Sequence, residues 1–118
     1  MVFSDVDIKK AIVEKRIVFE PEISEDQIGP SSVDLTLDGV FWVFKEKYFN
    51  REVDLQKIDF KKATKKIKAK EITLLPGQIC LGITKEKIKL ADDIIGFLEG
   101  RSRYARMGLA VHITSSLI

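Results

Sequence analysis

The stretch SSVDLTLDGVFWVF, residues 31–44, decides the fold class. Val33, Leu35 and Leu37 alternate with Ser32, Asp34 and Thr36, and a period of two is the mark of a strand buried on one face. Asp38-Gly39 has turn chemistry and residues 40–44 form a second apolar, aromatic run, so the spacing predicts a hairpin closed at 38–39. Trp42 and the Phe residues are its expected core or interface anchors.

The same pattern continues downstream. Residues 71–75 read as ordered, Pro76-Gly77 as the middle of a turn, and residues 79–84 as a strand with Leu81 and Ile83 on one side. Residues 85–90 alternate again, Ala91-Asp92-Asp93 reads as a turn, and residues 94–98 as a buried strand. Many short strands at regular spacing predict an all-β barrel or sandwich.

Upstream, Ser4 precedes an acidic turn with Asp5 and Asp7, and Ile8, Ile12 and Val13 recur at helical spacing, which predicts a short N-terminal helix. Ser4 is the expected cap, with Asp7 completing a capping box, and Lys15 and Arg16 supply late positive charge for the helix dipole. Residues 17–23 read as an extended stretch stopped by Pro21, and Gly29-Pro30 marks the next boundary. Residues 61–70 hold six lysines. The solvated hairpin or loop is preferred there over an anion-binding stripe, because no aromatic residue interleaves with the lysines as a single-strand platform requires.

At 118 residues the chain fits one domain, 1–118, which buries roughly two-thirds of the surface its unfolded chain exposes. One Cys (Cys80) and one His (His112) can make neither an internal disulfide nor a four-ligand zinc site; Cys80 reads as core packing and His112 as a structural histidine. No apolar run approaches the roughly 20 residues that span a bilayer, and the start lacks signal-peptide order, so the expectation is a cytoplasmic protein without a membrane partner. Twenty basic against 18 acidic side chains give no one-sided field for a nucleic acid. Fifteen Lys, fifteen Ile and a single Asn fit a thermophile, an expectation that a melting midpoint in the mesophile range would defeat.

The chemistry is concentrated in EGRSRYARMG, residues 99–108: three guanidiniums and two hydroxyls in a turn bounded by glycines. Glycine lets a backbone approach a ligand closely, free amides at the start of a helical turn favour negative charge, and Arg donates in bidentate fashion to phosphate. A polyphosphate site and a solvated turn salt-bridged to Glu99 or other acids both fit this composition.

Three separated motifs, GPSSVDLTL at 29–37, LLPGQICLGIT at 74–84 and EGRSRYARMGLAVHITSSLI at 99–118, together with the opening SDVDIKKAI, resemble the dCTP deaminase and dUTPase superfamily, closest to the dCTP deaminases. The resemblance covers nearly the whole chain. It implies a dUTPase-like β-barrel (β-clip) and places Arg101, Ser102, Arg103, Tyr104, Ala105 and Arg106 on the triphosphate-binding segment. Ser102 and Arg106 also fall where the deaminases position the water and the pyrimidine, and Thr114 and Ser115 fall beside the base. Arg103 and Tyr104 depart from the usual Ser and Leu, and Ser115 from the usual Ala. A hydroxyl there bears on which pyrimidine edge is accepted. The aspartate of the first motif, Asp34, is associated in the superfamily with the active-site region; from the residues alone a surface or turn-bonding role is preferred.

The resemblance further implies zinc-independent deamination of dCTP to dUTP and ammonia, Mg²⁺ carried on the triphosphate, a homotrimer, and a general-base Glu that follows an Ile-Asp-Pro-Gly segment. The chain reaches Ile118 where that segment would begin, on an apolar strand end without a polar tail. The expectation is therefore a fold incomplete at its C-terminus and lacking the base. The alternatives are a dUTP diphosphatase or a bifunctional enzyme carrying dCTP to dUMP, and a non-catalytic, nucleotide-binding remnant.

Overall fold

A computed structural model describes residues 1–111 and 115–118. The chain divides into two compact units, Met1–Asp34 with Lys87–Ile118, and Leu35–Glu86.

In the first unit, helix α1 (Asp5–Val13) starts where the sequence predicts. The Ser4 hydroxyl accepts from Asp7 N at 3.3 Å, and the Asp7 carboxylate accepts from Ser4 N at 2.9 Å. These bonds to Ser4, the backbone one foremost, hold the Asp7 carboxyl below the usual carboxylate range. The helix buries Ile8 and Ala11, whereas Val13 is 82% exposed, against expectation. At 3.6 residues per turn Val13 lies about 140° round from Ile8, while Ala11 falls on its stripe. Lys15 and Arg16 lie just past the last turn, whose basic residue is Lys10. Their N–H groups close the helix on Ile12 O and Ala11 O, with Lys15 in the left-handed region at φ 57. The Arg16 side chain then pairs with Asp93, whose carboxyl is held low by that bond.

β1 (Ile17–Glu20) follows directly and stops before Pro21. It pairs antiparallel with β7 (Lys87–Leu90), Ile17 opposite Leu90 and Phe19 opposite Ile88. Ile17 and Phe19 are buried, Val18 and Glu20 exposed, and α1 packs against the strand. A 3-10 turn at Glu25–Gln27 leads into a small hairpin of β2 (Ile28–Gly29) and β3 (Ser32–Val33), joined by Pro30-Ser31. The predicted buried strand at 94–98 is instead an alternating edge. Gly96 exchanges backbone bonds with Ile118 and Leu98 N donates to Ser116 O, while Ile95 and Phe97 are 66% and 75% exposed.

The second unit is built on β4 (Leu37–Phe44), the middle strand of an antiparallel sheet ordered β5-β4-β6. No hairpin closes at Asp38-Gly39. One strand runs through both residues with an irregularity between Leu37 and Phe41, and Leu37 is exposed. Gly39 is small for another reason: a Cβ there would stand 2.8 Å from Ala69 O, and Ala69 N donates to Gly39 O. The partner of β4 is the lysine-rich stretch. After the short helix α2 (Phe60–Ala63), β5 (Thr64–Lys68) sets Lys66 opposite Trp42, its ammonium 5.5 Å from the ring centroid, and Ile67 opposite Phe41. The lysines are exposed and solvated, as expected, with Lys61 and Lys62 on α2 and Lys65, Lys66 and Lys68 on a strand.

β6 (Cys80–Thr84) flanks the other side, with Leu81 and Ile83 both partly exposed. Residues 71–75 form no strand; Leu75 N donates to the Gln78 side chain, which braces the Pro76-Gly77 turn. Phe41 and Ala63 are buried in this unit. Cys80 is half-buried, and burial pushes its thiol up, away from a thiolate role at neutral pH. Buried Glu86 accepts from Thr36 N at 2.8 Å, anchoring the approach to β4. All named strands pair antiparallel, and the β-rich make-up with a short N-terminal helix agrees with the sequence reading. No described helix is long and apolar enough to cross a membrane.

Candidate functional site

The arginine segment folds as one turn of helix, α3 (Ser102–Ala105), with Arg101 at its entrance and no side-chain cap. Its internal hydrogen bonds begin at Tyr104 N, which donates to Arg101 O at 3.0 Å. The N–H groups of Ser102 and Arg103 thus stand at the open end of the turn, without a backbone acceptor among the described residues. Arg106 N donates to Ser102 O at 3.0 Å, so these two residues sit one above the other on one face. Residues 101–106 are all exposed, Tyr104 to 44%.

The two bounding glycines have different work from the ligand approach the sequence suggests. A Cβ on Gly100 would lie 3.0 Å from Val111 Cβ, so Gly100 lets the returning chain pass close. Gly108 takes φ +88, and its N–H and that of Leu109 close the turn on Ala105 O and Tyr104 O. Together they bend the chain sharply and leave the arginines outward.

Of the three arginines, Arg101 has an acidic partner, and it is not Glu99. Its Nη2 stands 3.4 Å from Asp34 Oδ2, both side chains about half exposed. Asp34 is the residue that the sequence reading set aside; the first-motif resemblance was the one signal that pointed to it. Arg103 and Arg106 form no ion pair among the described residues. Ser115 lies apart from the turn in the chain and is exposed, its hydroxyl donating to Leu117 O at 2.8 Å. Thr114 and His112 lie outside the described residues.

Chemically, the turn offers cationic, planar donors and free amides to an anion with several oxygens. Among the described residues no group of three or more His, Cys, Asp or Glu could hold a metal ion.

The profile of a family described as dCTP deaminase-like matches residues 2–118. The chain is 38% identical over 120 residues to "dCTP deaminase, dUMP-forming" of Methanosphaera stadtmanae, covering 99% of this chain and 61% of that protein. It is 38% identical over 125 residues to "dCTP deaminase" of Marinomonas sp., covering 97% and 63%. A further match, "dCTP deaminase, dUMP-forming" of Dictyoglomus turgidum, is 37% identical over 122 residues, covering 100% and 62%. The chain spans a little over three-fifths of the length of these relatives.

Proposed function

The chain belongs to the dCTP deaminase-like family, and from that membership we propose that its arginine turn receives the triphosphate of dCTP for hydrolytic deamination to dUTP and ammonia. The observation that carries the proposal is the exposed turn itself: three arginines on one helical turn whose first two N–H groups find no backbone acceptor among the described residues, with Arg103 and Arg106 free of acidic partners among those residues. That arrangement suits the terminal phosphates, which bring several charges and many acceptor oxygens.

In this reading Arg101, Arg103 and Arg106 neutralise the phosphates, Tyr104 and Ala105 complete the segment's contact surface, and Ser102 and Arg106, stacked on one face, orient the water and the pyrimidine. Thr114 and Ser115 lie beside the base. Mg²⁺ enters with the nucleotide, whose oxygens supply the donor set that the described protein residues lack. The deamination is zinc-independent: water adds at C4 of cytosine and ammonia leaves. It needs a carboxylate base, worth about 10²- to 10⁴-fold in rate, and the resemblance places that base after an Ile-Asp-Pro-Gly segment that these 118 residues do not contain. The subunits of a homotrimer would share the site in the assembled protein.

A second reading has a specific observation behind it. Two of the relatives carry names ending in "dUMP-forming", which favours a bifunctional enzyme that also releases pyrophosphate from dUTP. Incubating the full-length gene product with dCTP and Mg²⁺ and separating the products decides between them: dUTP with ammonia supports deamination alone, dUMP with ammonia and pyrophosphate the bifunctional reading. Binding of dCTP without turnover would replace the enzyme by a nucleotide-binding module. Unchanged dCTP affinity after Arg101→Glu and Arg106→Glu would overturn the assignment of the turn.

A further inference from the structure

Arg101 stands at the entrance of α3, where its carbonyl accepts from both Tyr104 N and Ala105 N. Its long side chain is half exposed, and an unrestrained arginine must lose rotamer freedom before it can grip a ligand. The opposing carboxylate, by contrast, comes from a rigid place. Asp34 N donates to Gln27 O at 2.7 Å, and Asp34 O accepts from Gln27 Nε2 at 2.9 Å, so one residue clamps both of its backbone groups. Gln27 is itself fixed, its Oε1 accepting from Ser24 N at 3.0 Å at the start of the 3-10 turn, and the β2–β3 hairpin joins the two ends.

We infer that Asp34 is a positioning residue for Arg101, setting the guanidinium in the direction from which it meets the ligand's phosphates. The inference rests on the reading of the turn as a triphosphate site. The contact, one Nη2 to one Oδ2 at 3.4 Å, engages one edge of the guanidinium and leaves the remaining donors open. A pair this exposed is too weak to withhold Arg101 from a triphosphate, yet it biases the rotamer before the ligand arrives. The carboxylate also repels an incoming anion, so its contribution has two opposed parts, and ordering outweighs repulsion because the ligand is screened by Arg103 and Arg106 on the same turn.

The test is a double-mutant cycle on the full-length gene product, reading dCTP affinity with Mg²⁺ by calorimetry for the wild type, Asp34→Asn, Arg101→Ala and the double variant. Asp34→Asn is expected to weaken binding about three- to tenfold and to add nothing once Arg101 is alanine. Asp34→Glu, which keeps the charge on a longer arm, should fall between wild type and Asn. Asn retains both backbone bonds to Gln27, so the thermal midpoint should stay unchanged while affinity moves. Unchanged or tighter binding in Asp34→Asn, or an equal loss in both Arg101 backgrounds, overturns the inference and leaves the turn's role intact. Unchanged affinity in Arg101→Ala overturns both.

Discussion

At their C-terminal ends helix α1 and the arginine turn make the same pair of backbone hydrogen bonds. In α1 they are Arg16 N to Ala11 O and Lys15 N to Ile12 O; in α3 they are Leu109 N to Tyr104 O and Gly108 N to Ala105 O. Their other ends differ. α1 opens on a reciprocal Ser4–Asp7 cap and buries Ile8 and Ala11, whereas α3 opens on Arg101 without a side-chain cap and buries nothing. One helix is held by what it packs against. The other is shaped by glycines at its borders, and its side chains owe nothing to the core. A segment whose residues are not needed for packing is free to present charge, which is what a binding turn requires.

The sharpest break in this comparison is expected from Ile8→Ala, which empties a buried position and should cost about 3 kcal/mol of unfolding free energy in urea titration. Met107→Ala, at a site 81% exposed beside the arginine turn, should stay within about 0.5 kcal/mol. Next comes the cap. Ser4→Ala should cost about 1 kcal/mol and make the acid limb of the stability curve somewhat shallower, because the hydroxyl bond to Asp7 is lost while the larger, backbone one from residue 4 remains. The sign follows from Asp7: its folded carboxyl lies below its ordinary range because Ser4 donates to it, so its contribution is complete above the unfolded value and is lost as pH falls through the folded one. Unfolding titrations at neutral and acid pH in both proteins measure the difference. Gly108→Ala, forced to φ +88, should cost about 1 kcal/mol and weaken dCTP binding by misdirecting the arginines. The smallest effect is a gain: Lys15→Gly at φ 57 should stabilise by about 0.5 kcal/mol, because α1 then ends on the residue that its last turn favours.

The unequal legibility of the sequence has physical causes. The Ser4 cap, β1 up to Pro21 and the Pro76-Gly77 turn were readable because each depends on neighbours within a few residues. The hairpin expected at Asp38-Gly39 failed because that glycine answers to Ala69, a contact thirty residues away in the chain by the numbering, and no local rule reports it. β5 hid among lysines because its inward residues are few; Ile67 opposite Phe41 is the visible remnant of its pattern. At the candidate site the arginines and glycines stood out by composition, while the partner of Arg101 did not, since nothing near residue 34 names residue 101.

By itself, the sequence determined the antiparallel, β-rich make-up, the capped opening helix, the family and the cluster of cations at 101–106. Those follow from hydrophobic period, capping chemistry and motif order, all written over short spans. Only the tertiary structure decided that Gly39 and Gly100 serve close passage of the chain, that the lysine-rich stretch is a strand, and that Asp34 faces Arg101. These are pairings between distant segments, and an atom's neighbours across a fold are set by packing and register rather than by the residues beside it in the chain.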